Sequence, residues 1–472
     1  MAARPNIVLI LADDMGYGDF GCFGDGSART PALDHLVATG LCLTQHYSAS
    51  PVCAPARASL LTGRYPHRTG VVDTTEMRGL DRMAPSEVTI AQLLGAAGYA
   101  TGLVGKWHNG ALDPRHHPTT RGFAEFTGFC GGWSPYFGWT IERGTSPATQ
   151  SVQDGRYLTD VFTEEAVAFV ERHRAEPFFL FLSYNAPHYP FQSPPEDFAR
   201  YAEISATAGG MTKAVCHIRA MIERMDAGIA RVLDTLDRTG LADDTLVLFT
   251  SDNGPQMHGS GDMDTTRPNC GYRGAKLLVH EGGIRLPMVL RWPAGLDGGG
   301  RTLDTMVHFT DWLPTLLAIA GADAPRDRLL DGADVRGVLQ GERGTLDERR
   351  FWQWNRYVPH GECNAAMRDG AWKLVRPAID ALMQVTPEDM AIDVAAKFDR
   401  VKYNAISRDP LPEQPEVTPP PAQLFDLARD PGETTDLAAL EPERVRRMEA
   451  DLARWFEAVE IDRRAAAAQL SL

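Results

Sequence analysis

Four groups of polar residues, each following a short apolar run, have side chains that bind metal ions or move protons. In chain order they are Asp13-Asp14, Lys106 with His108, His188, and Asp252-Asn253. Carboxylate and amide oxygens are the ligands that hard cations such as Ca²⁺ and Mg²⁺ prefer. Histidine and lysine side chains exchange protons or hold anions. The residue types therefore indicate a hard-cation site with acid–base groups beside it, if the fold brings the four groups together.

The apolar runs that precede these groups have the length of buried parallel strands. Five such runs, bounded by turn residues, span 7–11, 100–104, 178–182, 246–249 and 288–290. Stretches with helical periodicity lie between them, at residues 30–40, 88–97 and 212–239. Thr30 and Pro31 mark the start of the first helix, and Gly240 marks the end of the third. Alternating strands and helices predict an α/β fold, in which the carboxyl ends of the strands share one ligand-binding edge.

The composition changes after about residue 345, which predicts a second, smaller unit. Several aromatic residues lie close together there, namely Trp352, Trp354, Tyr357 and Trp372, and a proline-rich stretch follows at 410–421. The patterns predict a closing helix over 441–459 and short strands over 351–357 and 372–375.

We therefore predict two domains. An α/β catalytic domain over residues 1–345 has a large, mostly parallel sheet sandwiched by helices. A smaller C-terminal α+β subdomain over residues 346–472 has an antiparallel sheet plus a helix.

Charge and composition exclude several classes of protein. The 472-residue chain has 47 lysines and arginines against 62 acidic residues, and its net charge of -15 argues against nucleic-acid binding. Hydrophobic residues make up 43% and charged residues 23%, which excludes a disordered or coiled-coil chain. The seven cysteines include no CxxC pair, so we expect neither a disulfide framework nor a zinc knuckle.

The sequence contains no obvious targeting segment. No apolar run approaches the ~18 residues that a membrane span needs. The first five residues, Met1 to Pro5, lead directly into the first apolar run, whereas a secretory leader needs a longer apolar stretch and a small-residue cleavage site. We therefore expect a cytoplasmic protein that does not bind membranes.

The most specific stretch of the sequence surrounds Cys53. It reads Cys53-Ala54-Pro55-Ala56-Arg57 and continues to Leu61-Thr62-Gly63-Arg64. An isolated cysteine is most often a buried structural residue, but that does not account for the extended pattern. The stretch resembles the signature of the sulfatase family, whose formylglycine-dependent, arylsulfatase-like members belong to the alkaline phosphatase superfamily.

The resemblance covers nearly the whole chain and keeps the order of the family's sequence blocks. They are Pro5-Asn6-Ile7-Val8, Asp13-Asp14-Met15-Gly16, Gly105-Lys106-Trp107-His108, Asn185-Ala186-Pro187-His188, Ser251-Asp252-Asn253-Gly254, Arg273-Gly274-Ala275-Lys276 and Arg368-Asp369-Gly370. Two positions depart from the family pattern, since Asn109 stands where Leu is common and Ala124 replaces the usual Asp. Neither departure removes an implied catalytic group.

The resemblance implies a hydrolase that converts a sulfate ester into an alcohol and inorganic sulfate. It implies that a maturing enzyme oxidises the cysteine to formylglycine, whose hydrated aldehyde is the nucleophile. It also implies one Ca²⁺, with Mg²⁺ as the alternative, held by Asp13, Asp14, Cys53, Asp252 and Asn253. Two-metal phosphatases of the superfamily usually have Asp-His at the last two positions, so Asn253 favours a single metal ion.

The catalytic residues that the resemblance implies are Cys53, Arg57, Lys106, His108, His188 and Lys276. Arg57 would fix the aldehyde hydrate, and the two lysines would hold the sulfate oxygens. His188, with Lys276, would protonate the departing alcohol oxygen. His108 would then remove a hydroxyl proton so that sulfate leaves.

Two alternatives remain open. The same site could cleave phosphonate monoesters or phosphodiesters, or the protein could bind sulfated ligands without turnover through an unmodified Cys53. The expected substrate is a small-molecule or sugar sulfate ester, and an oligomer is left open. Ser134, His258 and His360 have no assigned role, and residues 379–420 match no block of the family.

Overall fold

The computed structural model of the protein describes residues 4–146, 148–208, 210–296, 299–342, 347–399 and 402–470. Eleven strands in these ranges form one large sheet. They are β1 (Asn6–Ala12), β2 (Leu41–Tyr47), β3 (Ala100–Lys106), β4 (Glu125–Phe129), β5 (Ile141–Thr145), β6 (Ala148–Val152), β7 (Phe178–Ser183), β8 (Thr245–Ser251), β9 (Arg285–Arg291), β10 (Arg301–Leu303) and β11 (Val307–His308). Their order is β10-β2-β9-β8-β1-β7-β3-β4-β5-β6, with β11 beside β2.

The centre of the sheet is parallel and buried on both faces. Strand β1 lies between β7 and β8 and is parallel to both, and β3 and β4 continue the parallel part beyond β7. All seven residues of β1 are buried, as expected for a strand covered by helices on both faces. Leu11 pairs with Ser183 and Ala12 with Ser251, so these strands end level with one another. The polar groups that follow them therefore meet at one edge of the sheet.

The prediction of a parallel strand at residues 288–290 is wrong in direction. These residues belong to β9, which is antiparallel to both β2 and β8. A parallel neighbour would need a crossover connection to the opposite edge of the sheet. The chain between β8 and β9 instead stays near the carboxyl end of β8, where Gly254 bonds to Gly283, and so β9 runs back antiparallel.

Helices cover both faces of the sheet. In chain order they are α1 (Pro31–Thr39), α2 (Cys53–Thr62), α3 (Pro66–Thr69), α4 (Ile90–Ala96), α5 (Leu158–Arg172), α6 (Pro195–Ala208), α7 (Lys213–Arg238), α8 (Glu281–Ile284), α9 (Trp312–Ala320) and α10 (Arg336–Leu339). Alternate residues of β1 point to opposite faces, with Leu9 packing in the cluster of α2, α4 and α9 and Ile10 in that of α1, α5 and α7. The predicted sandwich is confirmed.

Local signals placed the boundaries of the three helices predicted in the large unit, although one predicted cap makes different contacts. The Thr212 hydroxyl accepts the backbone N–H of Val215 at 3.1 Å and caps α7, close to the predicted start. The predicted cap Thr30 does not bond to the backbone of α1. Its hydroxyl instead accepts the Gly21 N–H and donates to the Asp34 carboxylate, both at 2.8 Å. The Thr30 side chain therefore connects the preceding loop to the helix.

A separate four-stranded antiparallel sheet forms the smaller unit. Its strands, in sheet order, are β12 (Arg349–Gln353), β13 (Ala365–Asp369), β14 (Trp372–Arg376) and β15 (Gln423–Asp426). The unit also contains α11 (Pro387–Phe398) and α12 (Pro442–Leu470). Met367 and Leu374 pack against α12, whereas Trp352 and Phe425 pack against Tyr47 of the large unit. The predicted antiparallel sheet with a helix is confirmed.

Two predicted boundaries in this unit need correction. The strand predicted over 351–357 ends at Gln353, because the backbone turns away and Tyr357 has a φ of 61°. The closing helix continues past residue 459 to Leu470, since Ala466 and Leu470 remain buried. The boundary predicted at 345/346 lies outside the described residues, and the division into two domains stays a prediction. Among the helices of the described ranges, none combines the length and the apolarity needed to cross a membrane.

Candidate active site

The ends of β1 and β8 bring the pair Asp13-Asp14 into contact with the pair Asp252-Asn253. The backbone N–H of Asp252 donates to the carbonyl of Ala12 at 3.1 Å. Asp14 turns with a φ of 66° and its N–H donates to Oδ1 of Asp252 at 3.2 Å. The amide of Asn253 donates from Nδ2 to Oδ1 of Asp14 at 2.8 Å. Two pairs of residues, about 240 positions apart in the sequence, therefore share one buried cluster.

Each of the three carboxylates in the cluster lies against a cation. The pairs are Lys106–Asp13 at 2.6 Å, Lys276–Asp14 at 2.7 Å and Arg57–Asp252 at 2.8 Å. These side chains are almost fully buried, and Lys276 is the most accessible, at 13%. Buried charges of this kind persist only when they are paired, so the six groups form one electrostatic unit.

Cys53 is the first residue of α2 and faces this unit. Ligand atoms of Asp13, Asp14, Cys53 and His188 all lie within 4.8 Å of one another. Asp252 lies beside this group. Its carboxylate accepts hydrogen bonds from the Arg57 guanidinium and from two backbone N–H groups, one of them that of Asp14. The structure thus brings all the expected ligands together and adds His188 to them.

The local charges shift the acidity of the cysteine and of the two neighbouring carboxyls. Burial raises the pKa of the Cys53 thiol, but the Lys106 and Lys276 ammonium groups hold it below its ordinary value. Burial also raises the pKa of Asp13 to about 8, even with Lys106 against it. Asp14 is shifted the other way, since Lys276 and then His188 outweigh burial and lower its pKa.

Two oxygens of the cluster fit a hard cation. Oδ1 of Asp13 and Oδ1 of Asn253 are buried and accept no hydrogen bond from the described part of the chain. Buried polar atoms normally have a partner, and a carboxylate oxygen and an amide oxygen are both ligands that suit Ca²⁺ or Mg²⁺. The donor set therefore fits the metal ion that the sequence resemblance implies.

His188 is held so that one ring nitrogen faces the cluster. Its Nδ1 lies 2.7 Å from the carbonyl oxygen of Tyr189, which accepts the ring proton there. Nε2 lies 3.7 Å from Oδ2 of Asp14. The hydroxyl of Tyr136 supports the loop by donating to the carbonyls of His188, at 3.0 Å, and Asn185, at 2.6 Å. The sequence gave no signal for Tyr136, because its partners are about 50 residues away.

His108 is buried and is held by contacts of its backbone and its ring. It has a φ of 55°, and its N–H donates to the carbonyl of Cys130 at 3.1 Å. Nε2 donates to the Thr74 carbonyl at 3.3 Å, and Nδ1 is buried without a hydrogen-bond partner among the described residues. Burial, reinforced by the Lys106 charge, lowers the pKa of His108 to about 3. An imidazole that stays neutral keeps a lone pair with which to accept a proton.

Ser183 and Asn109 hold segments that carry the expected catalytic residues. The Ser183 hydroxyl accepts from Nη1 of Arg57 at 2.6 Å and donates to the Lys106 carbonyl at 2.7 Å. Asn109, one of the two departures from the family pattern, donates from Nδ2 to the Ala54 carbonyl at 2.9 Å. The only sequence signal for Ser183 was its place at the end of an apolar run.

The residues without an assigned role lie in different environments. His258 is exposed overall, although part of its ring is buried. This partial burial and then the Lys276 charge lower its pKa, so His258 lies near the rim of the cluster. Nδ1 of His360 accepts the Glu362 N–H at 3.3 Å, a local structural contact. Ser134 is buried and lines a cavity beside His108.

Residues 379–420 lie against the site. Lys397 of α11 forms a buried ion pair with Glu76. The same Glu76 carboxylate accepts the backbone N–H of Gly132, and Gly132 lies so close to the His108 ring that a Cβ there would be 2.7 Å from Cε1. This segment therefore contacts the loop that surrounds His108.

The fold and the site together define an α/β enzyme with a buried centre for an anionic ester. Comparison with known proteins identifies the family. Residues 5–322 match the family described as "Sulfatase", and residues 272–383 match "N-sulphoglucosamine sulphohydrolase, C-terminal". The chain belongs to the sulfatase family.

Individual relatives agree with this assignment. Mouse steryl-sulfatase is 32% identical over 520 residues, covering 92% of this chain and 78% of that protein. Human arylsulfatase H is 29% identical, with coverage of 92% and 87%. The crystal structure of Ps i-CgsB in complex with k-i-k-neocarrahexaose superposes with a TM-score of 0.79 at 29% identity, covering 96% of this chain and 93% of that one. The protein is thus a sulfuric ester hydrolase, which confirms the predicted class of enzyme.

Proposed function

We propose that this protein hydrolyses its sulfate ester with a formylglycine made from Cys53 and one Ca²⁺ bound beside it. The observation that carries the proposal is the group of Asp13, Asp14, Cys53 and His188 ligand atoms within 4.8 Å of one another. Lys106 and Lys276 contact this group through the two carboxylates. A sulfate ester is an anion that needs such cations around it.

Formylglycine and Ca²⁺ would each supply one kind of chemistry. Formylglycine supplies an aldehyde that water converts into the nucleophile for sulfur. Ca²⁺, when bound by the oxygens of Asp13, Asp14, Asp252 and Asn253, polarises the sulfate ester as a Lewis acid. The start of α2 adds the partial positive charge of a helix N-terminus at residue 53.

The side chains around residue 53 have complementary roles. Lys106 and Lys276 bind the sulfate oxygens, and Arg57, held by Asp252 and Ser183, orients the nucleophile. Nε2 of His188 exchanges a proton with the leaving alcohol oxygen, because Nδ1 is already bonded to a carbonyl. Nδ1 of His108 accepts a proton as sulfate departs, since Nε2 donates to Thr74.

A small aryl sulfate or a sugar sulfate fits this site. The net charge of -15 disfavours long-range attraction of a sulfated polymer. The related crystal structure of Ps i-CgsB in complex with k-i-k-neocarrahexaose supports a sugar sulfate. The name of the mouse relative, steryl-sulfatase, supports a fused-ring alcohol instead.

The first test is the mass of the peptide that contains residue 53. Formylglycine lowers the peptide mass by about 18 Da relative to cysteine, and we expect this loss in protein from a host that has the maturing enzyme. The Cys53→Ala protein serves as the matched control and should show no turnover. An unmodified thiol in fully active protein would contradict the proposed nucleophile.

A second test separates sulfate from phosphorus esters. The purified protein is assayed with the sulfate, phosphate, phosphodiester and phenylphosphonate esters of 4-nitrophenol. We expect the highest kcat/KM with the sulfate. A higher value with the phosphonate monoester or the phosphodiester would favour the alternative hydrolase that uses the same site.

A further inference from the structure

A large cavity adjoins the candidate active site. Its volume of about 850 Å³ falls within the range of small-molecule sites. Strands β4 and β5, the loop that follows β4 and the end of α11 enclose it, and Trp133, Glu142 and Phe398 are among the residues that line it. None of the implied catalytic residues lines this cavity in the described part of the chain, so it is a neighbouring space.

Two aromatic side chains connect the proposed acid, His188, with the wall of the cavity. The backbone of Tyr189 follows His188, the residue proposed to protonate the leaving oxygen. The Tyr189 ring packs edge-on against Trp133, with ring centroids 5.5 Å apart. The loop that carries Trp133 starts beside His108, whose N–H donates to the Cys130 carbonyl at 3.1 Å. The rings of Tyr189 and Trp133 therefore form a continuous contact from the residue next to His188 to the cavity.

Three aromatic side chains form a platform beside the cavity, and two of them, Trp133 and Phe398, line it. The platform consists of Trp133, Tyr189 and Phe398, and the Trp133–Phe398 centroids are 5.8 Å apart. Tyr189 is 43% exposed and Phe398 is 69% exposed. Large aromatic surfaces left in water and grouped together are typical of binding sites, and aromatic faces stack well on the C–H face of a sugar ring or on a planar ring.

The opposite wall of the cavity is polar. Nε2 of His117 lies 3.1 Å from the Glu142 carboxylate, which also accepts the Thr149 hydroxyl at 2.7 Å. Other hydrogen-bonding side chains line the same space, namely Ser134, Thr140, Ser151, Gln153 and Asn404. A sterol would displace water from these polar side chains and offer them no hydrogen bonds of its own, at a cost in binding. A sugar ring satisfies them with its hydroxyls while its C–H face contacts the aromatic platform.

Two ion pairs hold helix α11 in place, so the platform is formed before substrate binds. Lys397 pairs with Glu76 in the interior. The Asp389 carboxylate accepts from Arg78 at 2.8 Å and from the Tyr357 hydroxyl at 2.8 Å. A rigid wall loses less conformational entropy on binding than a mobile one.

We propose that this cavity is a subsite for a sugar ring and that the substrate is a carbohydrate sulfate ester. The ring stacks on the platform of Trp133, Tyr189 and Phe398, and its hydroxyls bond to the wall that contains His117 and Glu142. This proposal rests on the hydrolytic function proposed above, because it places the leaving oxygen at His188. The described part of residues 384–420, which lies beyond the two matched family regions, supplies one side of the subsite.

The test compares a sugar sulfate with a minimal substrate. Wild-type, Trp133→Ala, Phe398→Ala and Leu440→Ala proteins are assayed with monosulfated hexoses and N-acetylhexosamines, estrone sulfate and 4-nitrophenyl sulfate. Leu440 is 78% exposed and does not line the cavity, so its variant is the matched control. For the best sugar sulfate, each platform variant should lose about tenfold more kcat/KM than for 4-nitrophenyl sulfate, as expected for lost aromatic stacking. Leu440→Ala should match wild type.

Two outcomes would overturn the subsite. One is an equal loss on all substrates in the platform variants, which would make these rings structural. The other is a preference of wild type for estrone sulfate over every sugar sulfate.

Binding to the Cys53→Ala protein separates this proposal from the hydrolytic one. Calorimetric titration of that protein with the same sulfated sugars needs no turnover. Binding that weakens about tenfold when Trp133→Ala is added supports the subsite even if no ester is hydrolysed. Absence of binding by the Cys53→Ala protein, alongside hydrolysis of 4-nitrophenyl sulfate by wild type, overturns the subsite and leaves the hydrolytic function standing.

Discussion

The side chain of Asn109 donates a hydrogen bond to the carbonyl oxygen of Ala54, with 2.9 Å between Nδ2 and the oxygen. The two residues are 55 positions apart, and the bond joins the loop that carries His108 to the first turn of α2, where Cys53 lies. Both ends are buried. The relative position of the nucleophile and of one proposed base therefore depends on a residue that departs from the family pattern.

Replacing Asn109 tests this connection. Asn109→Ala should lower the free energy of unfolding by about 1–3 kcal/mol, because a buried hydrogen bond is lost and a small cavity is left. It should also lower kcat more than it raises KM, since the two catalytic segments lose their mutual alignment. Urea denaturation and steady-state kinetics measure the two effects. Asn109→Leu, which restores the volume, should recover stability better than Asn109→Ala, and equal stability of the two variants would argue against a packing role.

Removing the Asp252 carboxylate should reduce metal binding and activity together. Asp252→Asn keeps the shape of the side chain but weakens the ion pair with Arg57 and the contact with the Asp14 N–H. We expect the affinity for Ca²⁺ to fall about 10- to 100-fold, measured by elemental analysis after dialysis at defined Ca²⁺ concentrations.

Asp226→Asn is the matched control for Asp252→Asn. Asp226 is a buried carboxylate on α7 that accepts the N–H groups of Ala32 and Leu33 and is not among the implied metal ligands. Its variant should keep the full metal content even if it is less stable. Undiminished metal in the Asp252→Asn protein would remove Asp252 from the ligand set.

The proposed acid should matter most when the leaving alcohol is a strong base. His188→Ala should lower kcat/KM for alkyl sulfates by about 10²–10⁴, and should affect 4-nitrophenyl sulfate much less, because 4-nitrophenolate needs little protonation. A series of aryl sulfates gives the slope of log(kcat/KM) against leaving-group pKa, which should become steeper in the variant. His258→Ala removes an exposed histidine near the rim and serves as the control. An unchanged slope in His188→Ala would contradict the role of an acid.

Stability should fall in mild acid because of a buried histidine. His46 is fully buried, and its Nε2 accepts the indole N–H of Trp312 at 2.9 Å. Burial lowers the pKa of His46 to about 3. Below the unfolded-state pKa of ~6.5 the unfolded chain takes up a proton that the folded chain excludes, so this contribution, complete above that value, is lost as the pH falls toward 3.

The His46 effect is measurable at one pH. At pH 5.5 the loss should be about 1.4 kcal/mol relative to pH 7.5. Urea denaturation of wild-type and His46→Gln proteins at both pH values measures it, since glutamine cannot titrate but can still accept from Trp312. The difference between the two proteins isolates His46 from other titrating groups. Equal pH dependence of the two proteins would show that His46 takes up a proton as readily in the folded protein as in the unfolded chain.

The sequence was sufficient for the parts of this protein that depend on short-range patterns. Apolar runs such as residues 7–11 and 178–182 predicted β1 and β7, because a strand buried on both faces needs uninterrupted apolar side chains. The helical periodicity from residue 212 predicted the start of α7. Lys106 and Asp252 could be placed at one edge of the sheet, since the carboxyl ends of parallel strands meet there. The motif around Cys53 indicated the family.

Short-range patterns could not predict the direction of β9. They also could not predict the contacts of the described part of residues 379–420. An apolar run such as 288–290 is equally compatible with a parallel or an antiparallel strand, because both bury it on two faces. The ion pair of Lys397 with Glu76 joins residues 321 positions apart. Neither residue carries a local pattern that identifies its partner.

By itself, then, the sequence determined which residue types stand at the strand ends and which motif surrounds Cys53. Only the tertiary structure decided that Lys106 pairs with Asp13 and that Lys276 pairs with Asp14. It also decided that α11 completes a cavity beside them. The physical reason is that local patterns reflect the period of the backbone, whereas these contacts arise from how whole elements pack, which no stretch of a few residues encodes.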